Sequence, residues 1–585
     1  MMEAMSDTRA DDARDTVVLV GPSGGSRCAH RVARRRDHPE LWRDAPVDEG
    51  VRLRAEAAAR RRRAVRDALR GELDSASDTA SDTASVTGAF VDVVGDDWEE
   101  LPGPPAPRAD ERATLVAARD GARVVWGAAL PADPSTGRAG IRCVLVADPA
   151  GGYVPAIVVN HKVVDPVAEG RRGGVTVTGL ASWAPRAEPG LRVRRHPEDV
   201  GRLAHAWRLL GAAGLAADRP RGAVLGLGAG LALVHELDDA LGVDERTHAM
   251  RLAVARGEVE TAPSRIGECR SCPWWEGWTG ADGVEVTGCR TELVRRDDVS
   301  LVVGGARVTA LRRAGVTTVR GLAERTGGRP EGWSGEPYTD AVRRARAWRD
   351  GIALVPRVSR PEVPRGDVEV DVDLESHLDD GAYLWGTLLT VRDGRPAPNG
   401  EPEGYRAFGT WRPLPDPDEG RAFAEFWAWL TALRDAARDE GRSLVAYCYS
   451  RSAENAWMLS SATRFGPAGT VRAVAGVPER GEVARFLGSS EWVDVHEAVA
   501  SQFVSTVGTG LKAVAPVAGF SWRDPGAGGE ASLGWYRDVV AGDTVTAEAA
   551  RRRITDYNED DVRATRAVRD WVCARGADGA SDISD

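Results

Sequence analysis

The stretch VEVDVDLES, residues 368–376, decides how the second half of this chain is read. Valine alternates with acid, which is the two-residue period of a β-strand. Asp371, Asp373 and Glu375 occupy alternate positions, so all three point to one face. Ionised carboxylates packed together repel, and burying them without partners is costly. A divalent cation removes that objection. Mg²⁺ and Mn²⁺ take oxygen ligands, and a pair of such ions about 3.5–4 Å apart can clamp the attacking and leaving oxygens of a phosphodiester. The plainer alternative is a solvated edge strand.

The neighbours of this strand continue an α/β pattern. A second strand is expected over 383–390, a helix over 420–439, a strand over 444–449, a helix over 453–461, a short strand over 492–495 and a long helix over 546–573. The long helix carries YNEDD, in which Tyr557 and Asp561 stand four apart and share a helical face. Between these segments lies AYCYSRSAENAWM, residues 446–458, a strand running into a helix start with Glu454 in the first turn. Asn455 beside it is a weaker candidate, and Asp371 and Asp494 are secondary acids.

An Asp-x-Glu strand followed by Tyr-x-x-x-Asp resembles the DEDDy 3′–5′ exonucleases. The segments VDVHEAV (493–499), GLKAVAPVAGFSW (510–522) and YNEDDVRATRAVRDW (557–571) resemble the YprB-type ribonuclease-H-like exonucleases, over about 365–575. That resemblance implies that Asp373, Glu375, Glu454 and Asp561 hold two Mg²⁺ or Mn²⁺ ions while Tyr557 helps to position the attacking water. Glu454 departs from the pattern, which has aspartate there. Lys512 lies in GLKAVA. Only two of the 77 basic residues are lysines, Lys162 and Lys512, which marks both as candidate nucleic-acid contacts.

The first half reads differently. CRSCPWW (269–275) holds Cys269 and Cys272 at metal-ligand spacing; Cys289 follows, and Cys28 stands alone in SRCAHR (26–31). One early cysteine with a late cluster resembles the RecB-like PD-(D/E)xK nucleases, in which a [4Fe–4S] cluster staples the domain ends. A four-thiolate zinc site and unligated buried thiols are the alternatives. Cys143, Cys448 and Cys573 read as core residues. The family's acids should fall in GRAGIRCVLVADPAGGYVPAIVVNHK (137–162), but Gly140 stands at the Asp position. The next strand offers either Ile157 and Val159 or Asn160 and Lys162. Both registers lack the metal-binding acids, so a degenerate nuclease fold that still binds DNA is expected. On the following helix, expected over 197–216, His205 and Trp207 would face DNA or simply pack.

DDVSLVVGGARVTALRRAGVTTVRGLAE (297–324) resembles a helix-hairpin-helix. Its hairpin would offer the amides of Gly304 and Gly305 to a phosphate, with Arg307, Arg312 and Arg313 nearby. The expected organisation is therefore α/β throughout: a restriction-endonuclease-like, RecB-like domain over 1–295, a helical connector over 296–360, a ribonuclease-H-like domain over 365–575 and a disordered tail over 576–585. Residues 1–15 are expected to be disordered. The repeat SASDTASDTAS (75–85) and the proline-rich 356–365 are expected to be linkers, and 113–164 to be strands.

Composition bounds the remaining choices. At 585 residues the chain exceeds one core, and 42% hydrophobic with 28% charged residues excludes a mostly disordered or fibrous chain. A net charge of −11 argues against a non-specific nucleic-acid coat but allows a local basic groove. No run of 18 apolar residues occurs, so no membrane partner is expected, and the polar, acidic N-terminus has no signal-peptide core. A cytoplasmic location follows as the expectation. GPSGGSR lacks the P-loop lysine, Gly226, Gly228 and Gly230 do not make a dinucleotide fingerprint, and the nine histidines form no H-x-x-x-H pair. The function that fits is a metal-dependent nuclease acting on DNA, in repair or processing. An RNA-processing exonuclease and a non-catalytic nucleic-acid adaptor are the rivals; protein partners are not readable.

Overall fold

The structure, a computed structural model, describes residues 17–22, 28–43, 45–46, 49–78, 90–94, 108–167, 173–227, 230–280, 283–526 and 528–577. The expected lead-in over 1–15 lies outside them. So do most of the linker repeat and residues 578–585 of the expected tail. The chain divides into two units, the first comprising 1–47 and 54–290 and the second 48–53 and 291–585.

The first unit is built on eight strands: β1 (Phe90–Asp92), β2 (Val124–Leu130), β3 (Ile141–Ala147), β4 (Tyr153–Val158), β5 (Val175–Thr178), β6 (Arg186–Glu188), β7 (Arg221–Leu225) and β8 (Ala232–Glu236). Their order in the sheet is β1-β2-β3-β4-β7-β8-β5-β6. The helices used below are α1 (Ala29–Asp37), α2 (Glu49–Asp78), α3 (Arg108–Arg119) and α4 (Pro197–Ala212). Alternate residues of the central strands feed two apolar cores. Val125, Cys143, Leu145 and Ile157 pack with Leu203, Ala206 and Leu209 of α4. Val124, Trp126, Val144 and Val158 pack with Val65, Leu69 and Leu73 of α2.

Two expectations are corrected here. Residues 75–78 close helix α2 rather than opening a linker. The start of the expected all-strand region is helix α3, whose Thr114 hydroxyl accepts from the amide of Ala129 at 2.9 Å.

The second unit contains the five-stranded sheet β9 (Val368–His377), β10 (Gly381–Val391), β11 (Gly404–Gly409), β12 (Leu444–Cys448) and β13 (Trp492–Asp494). Its order is β11-β10-β9-β12-β13. β9, β10 and β11 pair antiparallel, while β12 and β13 add in parallel beside β9. Helix α5 (Pro417–Asp439) starts with Pro417 at its first turn and Asp416 as N-cap, whose side chain accepts from the amide of Asp418. α6 (Arg451–Phe465) follows β12. α7 (Thr544–Ala577) runs 34 residues, with no proline or glycine between 544 and 575 to interrupt it.

The two faces of β9 differ completely. Val368, Val370 and Val372, each at most 1% exposed, pack with Phe423, Phe426 and Trp427 of α5. Each contributes about 1.5–3 kcal/mol of burial. Glu369, Asp371, Asp373 and Glu375 take the other face, and α7 supplies bonding partners to the first three.

Residues 297–324 form helix Ala306–Arg313, a turn and helix Val319–Ala323, followed by helix Tyr338–Arg349. The expected linker over 356–365 is instead tied down. Leu354–Pro356 pairs with Phe503–Ser505, Arg357 bridges Asp340 at 2.9 Å, and the Pro364 carbonyl accepts from the Tyr447 hydroxyl at 2.8 Å.

Candidate active site

The four acids of β9 separate into two pairs. Arg569 of α7, fully buried, lies 3.0 Å from Glu369, is hydrogen-bonded to Asp371 and stacks 3.9 Å over the Tyr447 ring. Arg365 adds a second cation on Glu369 at 2.6 Å. Asp371 is thus a structural ion-pair residue, which corrects its reading as a secondary metal-binding acid. Even so, burial raises its pKa to about 6, against the pull of Arg569.

Asp373 and Glu375 receive no such cation. With Asp561 of α7 they place carboxylate oxygens within 4.8 Å of one another. Their acidities show the resulting strain. Burial, then the charges of Asp561, Glu375 and Glu454, hold Asp373 well above the usual carboxylate range. Burial and Asp561 push Glu375 up to about 8. Asp561 is raised mainly by burial, opposed by bonds from Trp522 and Tyr557.

Each member of the trio is oriented, Glu375 by a bond from the Ser532 side chain. Asp373 Oδ2 accepts from Asn558 Nδ2 at 2.8 Å, and Asn558 Oδ1 accepts from the Tyr405 hydroxyl at 2.8 Å. Asp561 Oδ1 accepts from Trp522 Nε1 at 2.7 Å. Gly386 pairs with Asp373 across the β9–β10 ladder, and a Cβ there would fall 1.6 Å from Asn558 Oδ1. Only glycine leaves room for the amide that holds Asp373. Tyr557 packs edge-on against Trp535 and is 7% exposed. Lys512 Nζ stands 4.8 Å from the Tyr557 ring centre and 5.3 Å from that of Trp522. Burial lowers its pKa, opposed by Asp561 and Glu375.

Glu454 stands outside the trio but within electrostatic reach of Asp373. It is 4% exposed, its Oε2 has no hydrogen-bond partner, and burial pushes its pKa up to about 8. The turn that presents it is unusual. Ser450 has φ of 75°, a region a non-glycine residue seldom adopts, and the amides of Ser450 and Arg451 donate to Asp494 at 3.1 Å each. Asp494 also accepts from the amide of Glu497. Asp494 therefore organises backbone, and Asn455 accepts from Trp492 Nε1 at 2.8 Å; both of these secondary candidates serve positioning or packing.

The chemistry of the donor set fits hard divalent cations: oxygen ligands only, an excess of negative charge, and an orphaned buried carboxylate oxygen beside it. Asn558, Tyr405, Trp522 and Gly386 were not singled out from sequence. Asn558 sits inside YNEDD, one position from Tyr557, and was the one legible clue.

The other candidates are dispersed. Lys162 is exposed at the end of the segment after β4. Gly305 has φ of 64° and caps helix Ala306–Arg313; Arg307 pairs with Glu336 at 3.2 Å and Arg312 with Asp298 at 3.0 Å. His205 is fully buried against the Ala139 carbonyl at 2.8 Å, so it packs and does not face a nucleic acid. Ile157 and Val159 belong to the apolar core. Cys28, Cys269, Cys272 and Cys289 line one cavity with Arg31, Arg34 and Trp274. Burial raises the thiols of Cys28 and Cys269 and pushes Cys289 up to about 12. The amide of Ile266 donates to Cys269 Sγ at 3.4 Å.

Comparison with known proteins bears on the second unit. Residues 475–573 match the family model of the RNase H superfamily. No curated protein and no solved structure matches the chain. The matched segment contains Lys512, Tyr557 and Asp561, and the C-terminal unit accordingly carries a ribonuclease-H-like domain. No helix among the described residues is long and apolar enough to cross a membrane.

Proposed function

We propose that the C-terminal unit is a metal-dependent nuclease that hydrolyses nucleic-acid phosphodiesters, acting as a 3′–5′ exonuclease on DNA. The observation that carries this reading is the trio Asp373, Glu375 and Asp561, beside a β9 acid pair that has its arginines. A fold that sets Arg569 directly on one pair and leaves three converging carboxylates to the pull of Lys512 has left charge for a ligand. Asp373, Glu375 and Asp561, with Glu454, would hold two Mg²⁺ or Mn²⁺ ions. When bound, such ions supply charge neutralisation and a water of lowered pKa.

The remaining work falls to side chains. Burial and the neighbouring carboxylates keep the Tyr557 hydroxyl protonated, so it donates from Oη toward Asp561 and can orient a water beside it. Lys512, above Tyr557, offers positive charge to the scissile phosphate. Asn558 fixes the rotamer of Asp373.

The test is degradation of 3′- and 5′-labelled single-stranded DNA, duplex DNA and RNA with Mn²⁺ or Mg²⁺, comparing wild type with Asp373→Asn and Asp561→Asn. Loss of cleavage in both variants supports the reading, and the label gives polarity. Cleavage unchanged in both variants sinks it. RNA as the preferred substrate would move the protein to the RNA-processing alternative, and no cleavage of any substrate to the adaptor.

A second proposal concerns the first unit: Cys28, Cys269, Cys272 and Cys289 ligate a [4Fe–4S] cluster. The support is that one cavity gathers four thiols from both ends of the unit. Brown protein absorbing at about 400 nm after anaerobic purification is the expected result, and zinc without iron would overturn it. Together with a β4 that has no acidic side chain, this reads as a RecB-like fold that has kept its staple and lost its acids.

A further inference from the structure

One more set of metal-ligating side chains converges among the described residues: His161, His196 and Asp199, with ligand atoms within 4.8 Å of one another. His161 lies just beyond the end of β4. His196 is the N-cap of α4 and Asp199 belongs to its first turn. Pro197, at the first helical position, pre-sets that turn and presents the two side by side. Asp199 is 6% exposed, and its Oδ2 accepts from His161 Nε2 at 2.8 Å. The two imidazole rings are 4.0 Å apart, centre to centre.

His196 is also anchored from behind. Its Nε2 bonds the backbone carbonyl of Lys162 at 3.0 Å, which leaves Nδ1 for a ligand. Metal-bound histidines commonly spend their second nitrogen on a carbonyl in this way. A simple His–Asp pair would need only His161 and Asp199. The second imidazole, independently held and tilted against the first at 36°, is what a cation explains.

We propose that His161, His196 and Asp199 form a binding site for one divalent transition-metal ion of the zinc class. Two imidazoles and a carboxylate leave a fourth position open to water, and the half-exposed His161 side faces solvent. Magnesium is excluded as the resident ion by the nitrogen donors. His161 comes from the segment after β4 and His196 and Asp199 from the start of α4, so two elements distant in sequence supply the site.

The test uses the full-length protein, stripped with a chelator and titrated with Co²⁺ as a spectroscopic stand-in for zinc. One equivalent is expected to give visible d–d absorption of a nitrogen–oxygen site, without the near-ultraviolet charge-transfer band that cysteine thiolates produce. His161→Ala and His196→Ala should each abolish that absorption and weaken Zn²⁺ binding, read against a chromophoric chelator, by about tenfold or more. His196→Ala should keep the metal-free melting temperature, and Asp561→Asn should keep the absorption. Persistence of the visible band in both histidine variants overturns the proposal, as does Co²⁺ uptake that shows thiolate charge transfer alone. Should His161→Ala not fold, His161→Gln, which retains a hydrogen bond to Asp199, is read in its place.

Discussion

The eight-stranded sheet of the first unit and the five-stranded sheet of the second spend their central strands in opposite ways. β3 and β4 send alternate residues into two apolar cores, so both faces are used up in packing. β9 sends only its valines into a core, and its other face carries four acids toward α7. A strand with both faces in core has nowhere to hold charge except at its ends, and that is where His161 and Asn160 lie. A strand with one face withheld from core can carry charge along its length. Chemistry in this protein is thus located by what the packing leaves over.

The comparison can be broken most directly by activity. Asp373→Asn combined with Asp561→Asn should reduce metal-dependent cleavage by about a thousandfold or more, to background. Residual cleavage in that full-length double variant would mean that the first unit also acts. Next in size is the ion pair that divides the acids of β9. Arg569→Ala leaves Glu369 and Asp371 buried with less compensation and should cost about 3–5 kcal/mol, read by chemical denaturation of the metal-free protein. A loss below about 1 kcal/mol would show that these acids are not held as charges.

Gly386→Ala sharpens the comparison at smaller cost. The new methyl displaces Asn558 from Asp373, with an expected loss of about 1–3 kcal/mol and a weaker affinity for Mn²⁺. Unchanged Mn²⁺ affinity would remove Asn558 from the positioning role.

Smallest is an opposite response of the two units to pH in the metal-free protein. His205 is pushed down to about 4 by burial, so its unfolded form takes up a proton first. The stability it contributes is present above about pH 6.5 and is lost as the pH falls toward 4. Glu419 is pushed up to about 7 by burial against Arg464, and Glu375 to about 8. Their folded forms keep a proton that the unfolded chain releases, so their contribution is full below about pH 4 and is lost as the pH rises toward 8. Hydrogen exchange of β4 and β9 between pH 5 and 8 should show β9 loosening and β4 tightening as the pH rises. Parallel trends would contradict the assignment.

What sequence made legible was local. The two-residue period of 368–376 gave the strand and the shared face of its acids; the four-residue spacing of Tyr557 and Asp561 gave their common side of a helix. Six elements between 383 and 573 followed from the same periodicities, but edge strand β11 (Gly404–Gly409) and the helices Arg480–Leu487, Val495–Gln502 and Gly529–Ala541 did not. What periodicity cannot give is the partner opposite. Asp371 and Asp373 look equivalent in VEVDVDLES, and only Arg569, 198 residues away from Asp371, separates structure from site. Asp494 looked like a candidate ligand because its bonds to the amides of Ser450 and Arg451 arise from a left-handed turn with no glycine to announce it. Residues 356–365 read as a linker because three prolines suppress any periodic signal; the hydrogen bonds that fix them come from side chains and strands distant in sequence.

The supply of Asp561, Asn558 and Arg569 by one late helix also sets an order of events during synthesis. The ribosome makes β9 first, with only Arg365 made before it as a counter-ion, and for nearly two hundred residues its acids lack Arg569, the orienting amide and the third ligand. Chains fold from the N-terminal side as they emerge. A nascent copy thus carries an incomplete acid cluster, and the proposed metal site is completed only when α7 has been made and docked.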